Sequence, residues 1–442
     1  MPTGSATTTM TTAQPGVSRR ELRTVVGASL IGTMIEWFDF FIYGVASALV
    51  FNRLFFPSFD PLTGTLLAFS TYALGFLARP LGGVVFGHFG DRMGRKTLLM
   101  ISLLTMGIST TAIGLLPTYE QIGTWAPILL ILLRLLQGFA VGGEWGGAVL
   151  IVAEVAPPAQ RGFWTCWPQV GAPAGNLLAA GVFAASSGLL TETDFIAWGW
   201  RIPFLMSVVL VLVGWWLRRA VSESMVFARE AAEGGVERFP AMEALKRKGR
   251  ALLTGAGLRF GENICYYVIA TFSITYFTEI RGGDRSLVLN AVLIGSAVEC
   301  MTMPLFAALS DRIGRRLVYG AGAVCVAAWF LIFFTLMDRG SLWSVALAIT
   351  VAMVAHGAMY APQGAAITEL FPTRLRYSGA SIAYQATSIL AGSLAPIIAL
   401  SLYKASGGTA LVAAYVIGSL MLTIVAVIAA PETRGVDLHE VT

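Results

Sequence analysis

Long apolar runs alternate with short polar intervals along almost the whole chain. A membrane-spanning helix needs about 20 mostly apolar residues, and twelve segments of the chain meet this requirement. The pattern therefore predicts an all-α membrane protein with twelve transmembrane helices. The predicted spans are residues 24–51, 64–89, 97–116, 127–153, 162–189, 200–220, 251–279, 286–309, 317–337, 342–370, 376–404 and 408–430.

Composition and charge support this interpretation. Hydrophobic residues make up 56% of the chain and charged residues 12%, and the mean hydropathy is +0.72, which does not fit a soluble protein. Of the 30 Lys and Arg residues, 21 fall in the tails and in the loops on one side, 6 in the opposite loops and 3 within spans. The positive-inside rule then predicts a multi-pass protein of the cell inner membrane with both termini in the cytoplasm. The basic excess reflects topology, so no nucleic-acid partner is expected.

The sequence has no signature of a metal, a cofactor or an enzyme. Its four cysteines all fall in predicted spans without CxxC spacing, so disulfide, metal and redox roles are not expected. The GxxxxGK[ST] loop that binds ATP is absent from the sequence. No nucleophile–base motif or soluble catalytic domain is present either. An ion gradient is therefore the expected source of energy.

The chain is internally duplicated. The segment GHFGDRMGRK at 87–96 is echoed by AALSDRIGRR at 307–316, and the two Asp residues, Asp91 and Asp311, lie 220 positions apart. A Glu, a Pro and an Arg recur with the same spacings at 154, 157 and 161 and at 369, 372 and 376. Such a repeat predicts two pseudo-symmetric six-helix bundles.

The duplication divides the chain into five parts. The first tail is rich in Thr and Ser and has no apolar core preceded by basic residues, so a cleaved signal peptide is not expected. The predicted parts are a cytoplasmic tail (1–23), an N-terminal bundle (24–220), a cytoplasmic linker (221–250), a C-terminal bundle (251–430) and a second cytoplasmic tail (431–442).

Several motifs resemble those of the major facilitator superfamily and, within it, the metabolite:proton symporters that carry shikimate, α-ketoglutarate, citrate, and betaine or proline. These motifs are IEWFDFFIYG, FLARPLGG, GHFGDRMGRK, LLRLLQGFAVGGEWGGA and WGWRIPF. Among these carriers the shikimate type resembles the chain best, chiefly through residues 107–148. The resemblance implies a monomeric carrier in the lipid bilayer, driven by protons and without a cofactor.

Two acids interrupt the first apolar run. Glu36, Asp39 and Tyr43 fall at i, i+3 and i+7, on one face of a helix. A charge at the bilayer centre costs roughly 2.5–3.5 kcal/mol on insertion scales, so each acid needs a reason to be there. Two neighbouring carboxyls disfavour joint ionisation, which suits reversible proton binding. The other interpretation is that each acid is matched by a buried arginine.

Arg79 ends the second span, directly before Pro80. The resemblance places this position at a central cavity, where a planar guanidinium fits a carboxylate through two hydrogen bonds. Arg79 is therefore a candidate for binding the carboxylate of an organic acid. Neutralisation of Glu36 or Asp39 explains it equally well.

The fourth span carries both small and polar residues. Glycines recur every four residues from Gly138, which lets another helix approach closely. Arg134, Gln137 and Glu144 fall within an arc of about 80°. The resemblance associates this segment with proton coupling, and a structural pair between Arg134 and Glu144 is the alternative.

The second bundle has polar stripes of its own. In the seventh span Arg259 begins a stripe at i, i+3, i+4, i+7 and i+8, and in the tenth span His356 begins one at i, i+4 and i+7. His356 is either a proton relay or a packing residue, and Arg259 either lines the cavity or is structural. Glu299 in the eighth span is a weaker signal. The candidates for substrate contact are Arg79, Tyr43, Gln137, Glu262, Asn263, Tyr266, Tyr267, His356, Tyr360, Gln363 and Gln385.

The repeated DRxGR motif predicts a gate on the cytoplasmic loops after the second and eighth spans. Its Asp accepts hydrogen bonds from a helix N-terminus of the other bundle, and Arg95 reaches Glu154. The resemblance places these contacts at the closed cytoplasmic side. The predicted gating residues are Asp91, Arg95, Glu154, Arg161, Asp311, Arg315, Glu369 and Arg376.

These features predict a proton-coupled symporter that imports a small organic acid, such as shikimate, as its two bundles rock around a midplane cavity. An antiporter that exports amphiphilic compounds shares the fold and is one alternative. A betaine or proline symporter, for which an aromatic cage is expected, is another. The candidates for proton coupling are Asp39, Glu36, Arg134 and Glu144.

Overall fold

The computed structural model describes residues 19–93, 95–142, 145–220, 240–372, 375–436 and 438. Twelve long helices, α1 to α12, account for most of the described residues. In the first half they are α1 (Arg19–Leu49), α2 (Pro61–Met93), α3 (Arg95–Leu115), α4 (Trp125–Val141 and Trp145–Val155), α5 (Arg161–Leu189) and α6 (Ile202–Ala220). In the second half they are α7 (Gly249–Tyr267, Val268–Phe272, Ser273–Thr275 and Tyr276–Ile280), α8 (Arg285–Ile313), α9 (Arg315–Asp338), α10 (Leu342–Thr368), α11 (Arg376–Thr387, Ser388–Ser393 and Ala395–Ser406) and α12 (Ala410–Ala429).

Short helices lie between these long ones. Three of them connect long helices of the first half, and the fourth belongs to the predicted linker, of which residues 221–239 lie outside the described residues. They are Phe51–Phe55, Tyr119–Ile122, Glu192–Ala197 and Pro240–Arg247.

The same packing scheme occurs in both halves. In the first, α1 packs on α5, α2 on α4 and α3 on α6; in the second, α7 packs on α11, α8 on α10 and α9 on α12. Each pair of the second half follows its counterpart by six helices, as a duplicated six-helix unit requires. Between the halves, α5 packs on α8, and α2 packs on α11 at the symmetry-related position.

The outer surface and the helix lengths fit a bilayer. Among the described residues, nine helices are long and apolar enough to cross a membrane, and two further apolar helices are shorter. α7 is not among the nine because Arg259 and Glu262 lower its hydropathy. Large apolar side chains such as Leu331 and Trp343 are exposed on the outside, where lipid would cover them. The predicted all-α membrane fold is confirmed.

Glycines bring α2 and α4 into backbone contact. A Cβ atom at position 138 would lie 1.9 Å from the carbonyl oxygen of Gly75, and one at Gly82 would lie 1.8 Å from that of Phe139. No side chain fits at either place without moving a helix. The close approach predicted for the glycine stripe is therefore confirmed at Gly138.

The DRxGR motif begins in a helix, so the prediction that its Asp lies on a loop is wrong. Asp91 lies in the last turn of α2 and Asp311 in the last turn of α8. α8 ends at Gly314, whose φ of 110° suits glycine, and α9 begins at the next residue. A single glycine thus replaces the expected loop.

Wide π turns interrupt two helices of the second half that pack on each other. α7 contains them at Val268–Phe272 and Tyr276–Ile280, and α11 contains one at Ser388–Ser393. Such turns leave part of the backbone ladder out of register and are frequent at functional sites. Both helices border the interface between the bundles.

Candidate functional site

Asp39 of α1 is buried inside the first bundle among residues of three other helices. Its Oδ1 accepts a hydrogen bond from Ser207 Oγ of α6 at 2.6 Å. Its Oδ2 has no hydrogen-bond partner among the described residues. Gln137 Nε2 of α4 donates to the backbone oxygen of Asp39 (3.4 Å) and to Thr110 Oγ1 of α3 (2.7 Å). A buried carboxyl with one unsatisfied oxygen is a good place to hold a proton.

Arg134 stands beside this carboxyl in a box of aromatic rings. Its guanidinium carbon lies 4.6, 4.3 and 4.7 Å from the ring centres of Phe40, Tyr43 and Tyr72. Its Nη1 donates to Gln137, whereas Nε and Nη2 have no hydrogen-bond partner in the described part of the chain. Its charge interacts with the neighbouring carboxyl. Cation–π contact therefore stabilises this arginine, which forms no direct ion pair with a carboxylate of the described residues.

The residues on the predicted polar face of α1 do not share one set of neighbours. Tyr43 OH forms a hydrogen bond with Thr71 Oγ1 of α2 at 2.6 Å, and Glu36 is buried. Glu144, the predicted partner of the arginine on α4, lies outside the described residues. Of the predicted coupling residues, the structure therefore shows Arg134 beside Asp39, and the roles of Glu36 and Glu144 stay predictions.

Arg79 of α2 lies where the two bundles meet. It is 4% exposed, and its guanidinium carbon lies 4.7 and 4.5 Å from the ring centres of Phe40 and Phe76. Its charge also interacts with Tyr267 of α7 and Tyr384 of α11. Arg79 thus reaches residues of both bundles.

Arg79 can be interpreted either as a ligand of the substrate carboxylate or as a counter-ion of Glu36 or Asp39, and its ion-pair contacts bear on this choice. Within the described residues, its guanidinium forms no ion pair with a carboxylate, and its Nε has no hydrogen-bond partner. In particular, it does not pair with Glu36 or Asp39. In this conformation Arg79 is therefore not their counter-ion, and Asp39 instead accepts a hydrogen bond from Ser207.

In the second bundle, His356 of α10 bridges two carboxylates. Its Nδ1 lies 2.6 Å from Glu299 Oε1 of α8, and its Nε2 lies 2.8 Å from Glu262 Oε1 of α7. All three side chains are buried. A neutral imidazole donates through only one nitrogen. The two contacts therefore need either an imidazolium or a protonated carboxyl group.

Arg259 completes this cluster one helical turn before Glu262. Its Nη1 donates to Glu262 Oε2 (3.4 Å) and to Gln363 Oε1 (3.0 Å), and its Nε and Nη2 both donate to Ser388 Oγ (3.2 Å). Gln363 Nε2 donates to the same oxygen of Glu262 at 2.9 Å. The guanidinium carbon also lies 3.3 Å from the ring centre of Tyr384. These contacts favour the structural interpretation of Arg259.

The other predicted contact residues lie near the bundle interface. The rings of Tyr266 and Tyr360 pack on the histidine ring at 4.7 and 5.5 Å between centres, and Tyr267 packs on aromatic rings of α1 and α2. The Tyr266 hydroxyl, Asn263 Oδ1 and Gln385 Oε1 have no hydrogen-bond partner among the described residues. These three polar atoms are therefore available to another molecule.

The second copy of the DRxGR motif joins the two bundles. Asp311 accepts hydrogen bonds from the backbone N–H groups of Gly162 and Phe163, at 2.9 and 2.8 Å, in the first turn of α5. The dipole of α5 favours an anion at this end. Arg315 Nη1 donates to Asp311 Oδ1 (2.6 Å), and its Nη2 lies 3.4 Å from Glu369 Oε1. These are the contacts predicted for the first copy.

The side chains of the first copy lie outside the described part of the structure. Asp91 and Arg95 occupy the end of α2 and the start of α3, the same helix positions as Asp311 and Arg315 in the second copy. Their gating contacts stay a prediction.

Two reciprocal Arg–Glu interactions, the first of them a direct contact, also cross between the bundles. Arg161 Nη1 lies 3.1 Å from Glu369 Oε1, and the charge of Glu154 acts on Arg376. Exchanging the two bundles converts the first contact into the second, as the repeat predicts. The ends of the bundles that carry the DRxGR motifs are thus held together in this conformation.

The opposite ends of the bundles are bridged as well. Glu192 of the first half contacts Arg285 Nη2 of the second at 2.8 Å and Arg53 Nη1 at 3.5 Å. Lys404 Nζ of α11 donates to Thr63 Oγ1 of α2 at 2.8 Å. Both ends of the bundles are thus bridged around the buried polar groups, and we call this conformation occluded.

Sequence reasoning missed several members of these clusters. Ser207 and Thr110 give no signal, because hydroxyl side chains are tolerated in any span when they bond to their own helix. Phe40 and Tyr72 look like ordinary core residues. Glu299 does give a signal, since it is an acid in an apolar span, but no polar stripe accompanies it.

Comparisons with known proteins agree with this architecture. The family described as "Sugar (and other) transporter" matches residues 24–442. The shikimate transporter of Escherichia coli K12 is 44% identical over 386 residues, which cover 87% of this chain and 88% of that protein. The inner membrane metabolite transport protein YhjE of the same strain is 41% identical and covers 94% of this chain and 95% of its own. A proline/betaine transporter of Salmonella typhimurium is 34% identical over 96% of this chain and 86% of its own.

Solved structures share the fold. A D-xylose-proton symporter superposes with a TM-score of 0.73 at 17% identity, over 94% of this chain and all of that one (100%). The partially occluded inward-open xylose transporter XylE from E. coli superposes with a TM-score of 0.69 at 18% identity, over 94% and 99%. The predicted twelve-helix arrangement is confirmed, and the chain is a membrane transporter and not an enzyme. It belongs to the sugar (and other) transporter family of the major facilitator superfamily.

Proposed function

We propose that this transporter is a symporter that uses the proton gradient to import a small organic acid of the shikimate type. It works in the cell inner membrane as a monomer, with both termini in the cytoplasm and without a cofactor. The observation that carries the proposal is Arg79, a buried cation at the bundle interface that has no carboxylate partner among the described residues.

The surroundings of Arg79 suit a carboxylate. Burying an uncompensated charge costs several kcal/mol, so a carboxylate that enters from water gains both charge pairing and the fork geometry of the guanidinium. Two rings, Phe40 and Phe76, hold the arginine in place. Asn263 Oδ1 and Gln385 Oε1 are unused acceptors on α7 and α11, which suits a substrate that also carries hydroxyl groups.

Asp39 is the group that binds the transported proton. It is buried with one oxygen unsatisfied, and Arg134 stands beside it without a direct ion pair. An ionised Asp39 interacts favourably with Arg134, whereas a protonated Asp39 leaves that arginine to the aromatic box. The proton therefore changes the charge balance of α1 and α4, and α1 packs near α7 of the other bundle. Proton binding at Asp39 thus affects how the two bundles are positioned relative to each other.

The aromatic residues near the site argue against a betaine-type substrate. A quaternary ammonium is recognised by a cage of ring faces. Here Phe40, Phe76 and Tyr72 already contact the guanidinium groups of Arg79 and Arg134. The relatives named for proline and betaine still make glycine betaine a necessary competitor in any test.

Competition for uptake into proteoliposomes tests the proposal. With a pH gradient imposed, labelled shikimate competes with quinate, α-ketoglutarate, citrate, aromatic acids, glycine betaine and the neutral methyl ester of shikimate. We expect organic acids to compete and the ester to fail, because the ester has no anion for Arg79. Equal competition by the ester, or preference for glycine betaine, would contradict the proposal.

Variants of Arg79 give a second test. Arg79→Lys keeps the charge but loses the fork, and Arg79→Gln loses both. A buried, hydrogen-bonded charge pair is worth about 2–5 kcal/mol, so we expect KM to rise at least about 10-fold in Arg79→Lys and further in Arg79→Gln. Arg247→Gln is the control, because that arginine is 75% exposed in the linker helix. Unchanged KM in the Arg79 variants would remove Arg79 from the substrate site.

A further inference from the structure

We propose that Glu262, His356 and Glu299 form a second proton-binding site, carried by the second bundle and separate from Asp39 in the first. The inference rests on the proposed proton-coupled transport and extends it, because it gives each bundle its own proton site. The imidazole of His356 lies 2.6 and 2.8 Å from the two carboxylates.

Hydrogen bonding fixes how many protons the three groups hold in this conformation. Each of the two contacts needs one proton, so the three side chains share two, whether as an imidazolium between two carboxylates or as a neutral imidazole beside one carboxylic acid. In both cases the three groups carry one net negative charge. Arg259, which contacts Glu262 at 3.4 Å, balances it. The occluded cluster is therefore electrically neutral.

Loss of one proton would break this balance. A nitrogen lone pair of His356 would then face a carboxylate oxygen, and a net negative charge would remain in a buried site. An unmade hydrogen bond to a buried charged group and an uncompensated buried charge are both costly. The occluded conformation therefore keeps the proton, and release requires the cluster to open to water.

The cluster is built so that movement of the bundles can open it. Its three members come from three helices, α7, α8 and α10. α8 packs on α5 of the first bundle, and the ring of Tyr266 on α7 lies 5.7 Å from that of Phe41 on α1. Within α7, the wide turn at Val268–Phe272 comes directly after Tyr267. Rocking of the first bundle thus pulls on two of the three helices that hold the proton.

Apart from Arg259, the described groups that face the cluster include no cation that could replace a lost proton. Glu299 Oε2 has no hydrogen-bond partner there, so it is a place where water can deliver or accept the proton. Besides its own members, the titratable and charged groups that face the cluster are Arg259, Cys265 and Tyr266 of α7, Cys300 of α8, Tyr319 of α9, Tyr360 of α10 and Tyr384 of α11.

Infrared difference spectroscopy tests the site without any substrate. The full chain in nanodiscs, with Asp39→Asn to silence the first site, is cycled between about pH 5 and pH 9, the range in which histidine titrates. Glu299→Gln and His356→Gln are each added to this background, since glutamine still forms hydrogen bonds but has no proton that titrates in this range. Cys300→Ser is the matched control beside Glu299.

We expect carboxyl and imidazole difference bands from the cluster in the Asp39→Asn background and in the control, on top of those from the protein's other carboxyl groups and two other histidines. The contribution of the cluster should be lost in both added variants. Difference spectra that are unchanged in both variants would overturn the second site. Because this readout involves no transport, it decides on the site independently of the proposed function.

A transport measurement then tests its role. The number of protons moved per substrate is obtained from the accumulation reached at set pH gradients. With Asp39 intact, we expect this ratio to fall by one in Glu299→Gln, with substrate exchange at zero gradient retained, and to fall by one in His356→Gln. An unchanged ratio, or loss of exchange together with uptake in both variants, would overturn the role in coupling. If the natural protein shows no gradient-driven uptake, the proposed function fails, and the infrared result stands alone.

Discussion

Replacement of Asp311 by Asn should open the cytoplasmic side of the transporter. In the occluded conformation this carboxylate accepts two backbone N–H groups at the start of α5 and one Arg315 N–H group. Asparagine has a single oxygen, and its amide N–H₂ group would face a donor. At least one hydrogen bond to a charged group is therefore lost, specifically in the closed conformation.

The size of the effect follows from that loss. A hydrogen bond to a charged group contributes about 1.5–3 kcal/mol, and each 1.4 kcal/mol corresponds to a factor of about 10 in an equilibrium constant. Asp311→Asn should therefore shift the equilibrium between closed and open cytoplasmic sides about 10- to 150-fold towards the open side. The loss of charge near the α5 dipole acts in the same direction.

Distances between spin labels measure this shift. Labels at Ala159 and Arg312, both exposed on the cytoplasmic side of the two halves, report the separation of the bundles after the four native cysteines are replaced by serine. Asp338→Asn is the control, because Asp338 contacts Arg281 and Tyr276 within one bundle at the other end. An unchanged distance distribution in Asp311→Asn, or an equal shift in the control, would refute the reasoning.

Three further changes have defined outcomes. Asp39→Asn should abolish uptake driven by a pH gradient and leave substrate exchange intact in counterflow assays; loss of exchange as well would make Asp39 a structural or substrate residue. Gly138→Ala should lower the midpoint of thermal unfolding, because overpacking costs about 1–3 kcal/mol and the new Cβ would lie 1.9 Å from a backbone oxygen; Gly418→Ala, with nothing within 4 Å of the new atom, should not, and equal midpoints would contradict the packing described here. Glu432→Gln should destabilise the protein at neutral pH. Partial burial raises the pKa of Glu432, but the backbone N–H groups of Arg315, Arg434 and Arg316 outweigh it and hold this pKa below its usual 4.5. The stabilisation is therefore complete above pH 4.5 and disappears as the pH falls through the lowered pKa, so a difference between the two proteins that persists unchanged below this range would contradict the assignment.

Much of the fold follows from the sequence because its signals are local or repeated. Apolar runs of membrane-spanning length predict the helices, and the repeat of DRxGR predicts the two bundles. α7 is predicted in the same way, as span 251–279, although its charged residues lower its hydropathy. Its periodic polar stripe identifies it as a helix, and the same residues place it at the functional site.

The partners within the site were harder to predict, because they depend on how the helices are rotated. Periodicity puts Glu36, Asp39 and Tyr43 on one face, but only packing shows that Asp39 turns towards Ser207 of α6. The same holds for Arg79, whose sequence context fits a counter-ion and a substrate ligand equally well. Glu299 stands alone in its span, so only the contact with His356 reveals its surroundings.

Reversal of flux tests the central claim most directly. Proteoliposomes are loaded with labelled shikimate at the same concentration inside and outside, and the pH gradient is imposed first in one direction and then in the other. If protons and the organic acid move together, net shikimate flux follows the proton gradient and changes sign with it. Net flux that stays at zero, or that runs against the proton gradient as in an antiporter, would contradict the account.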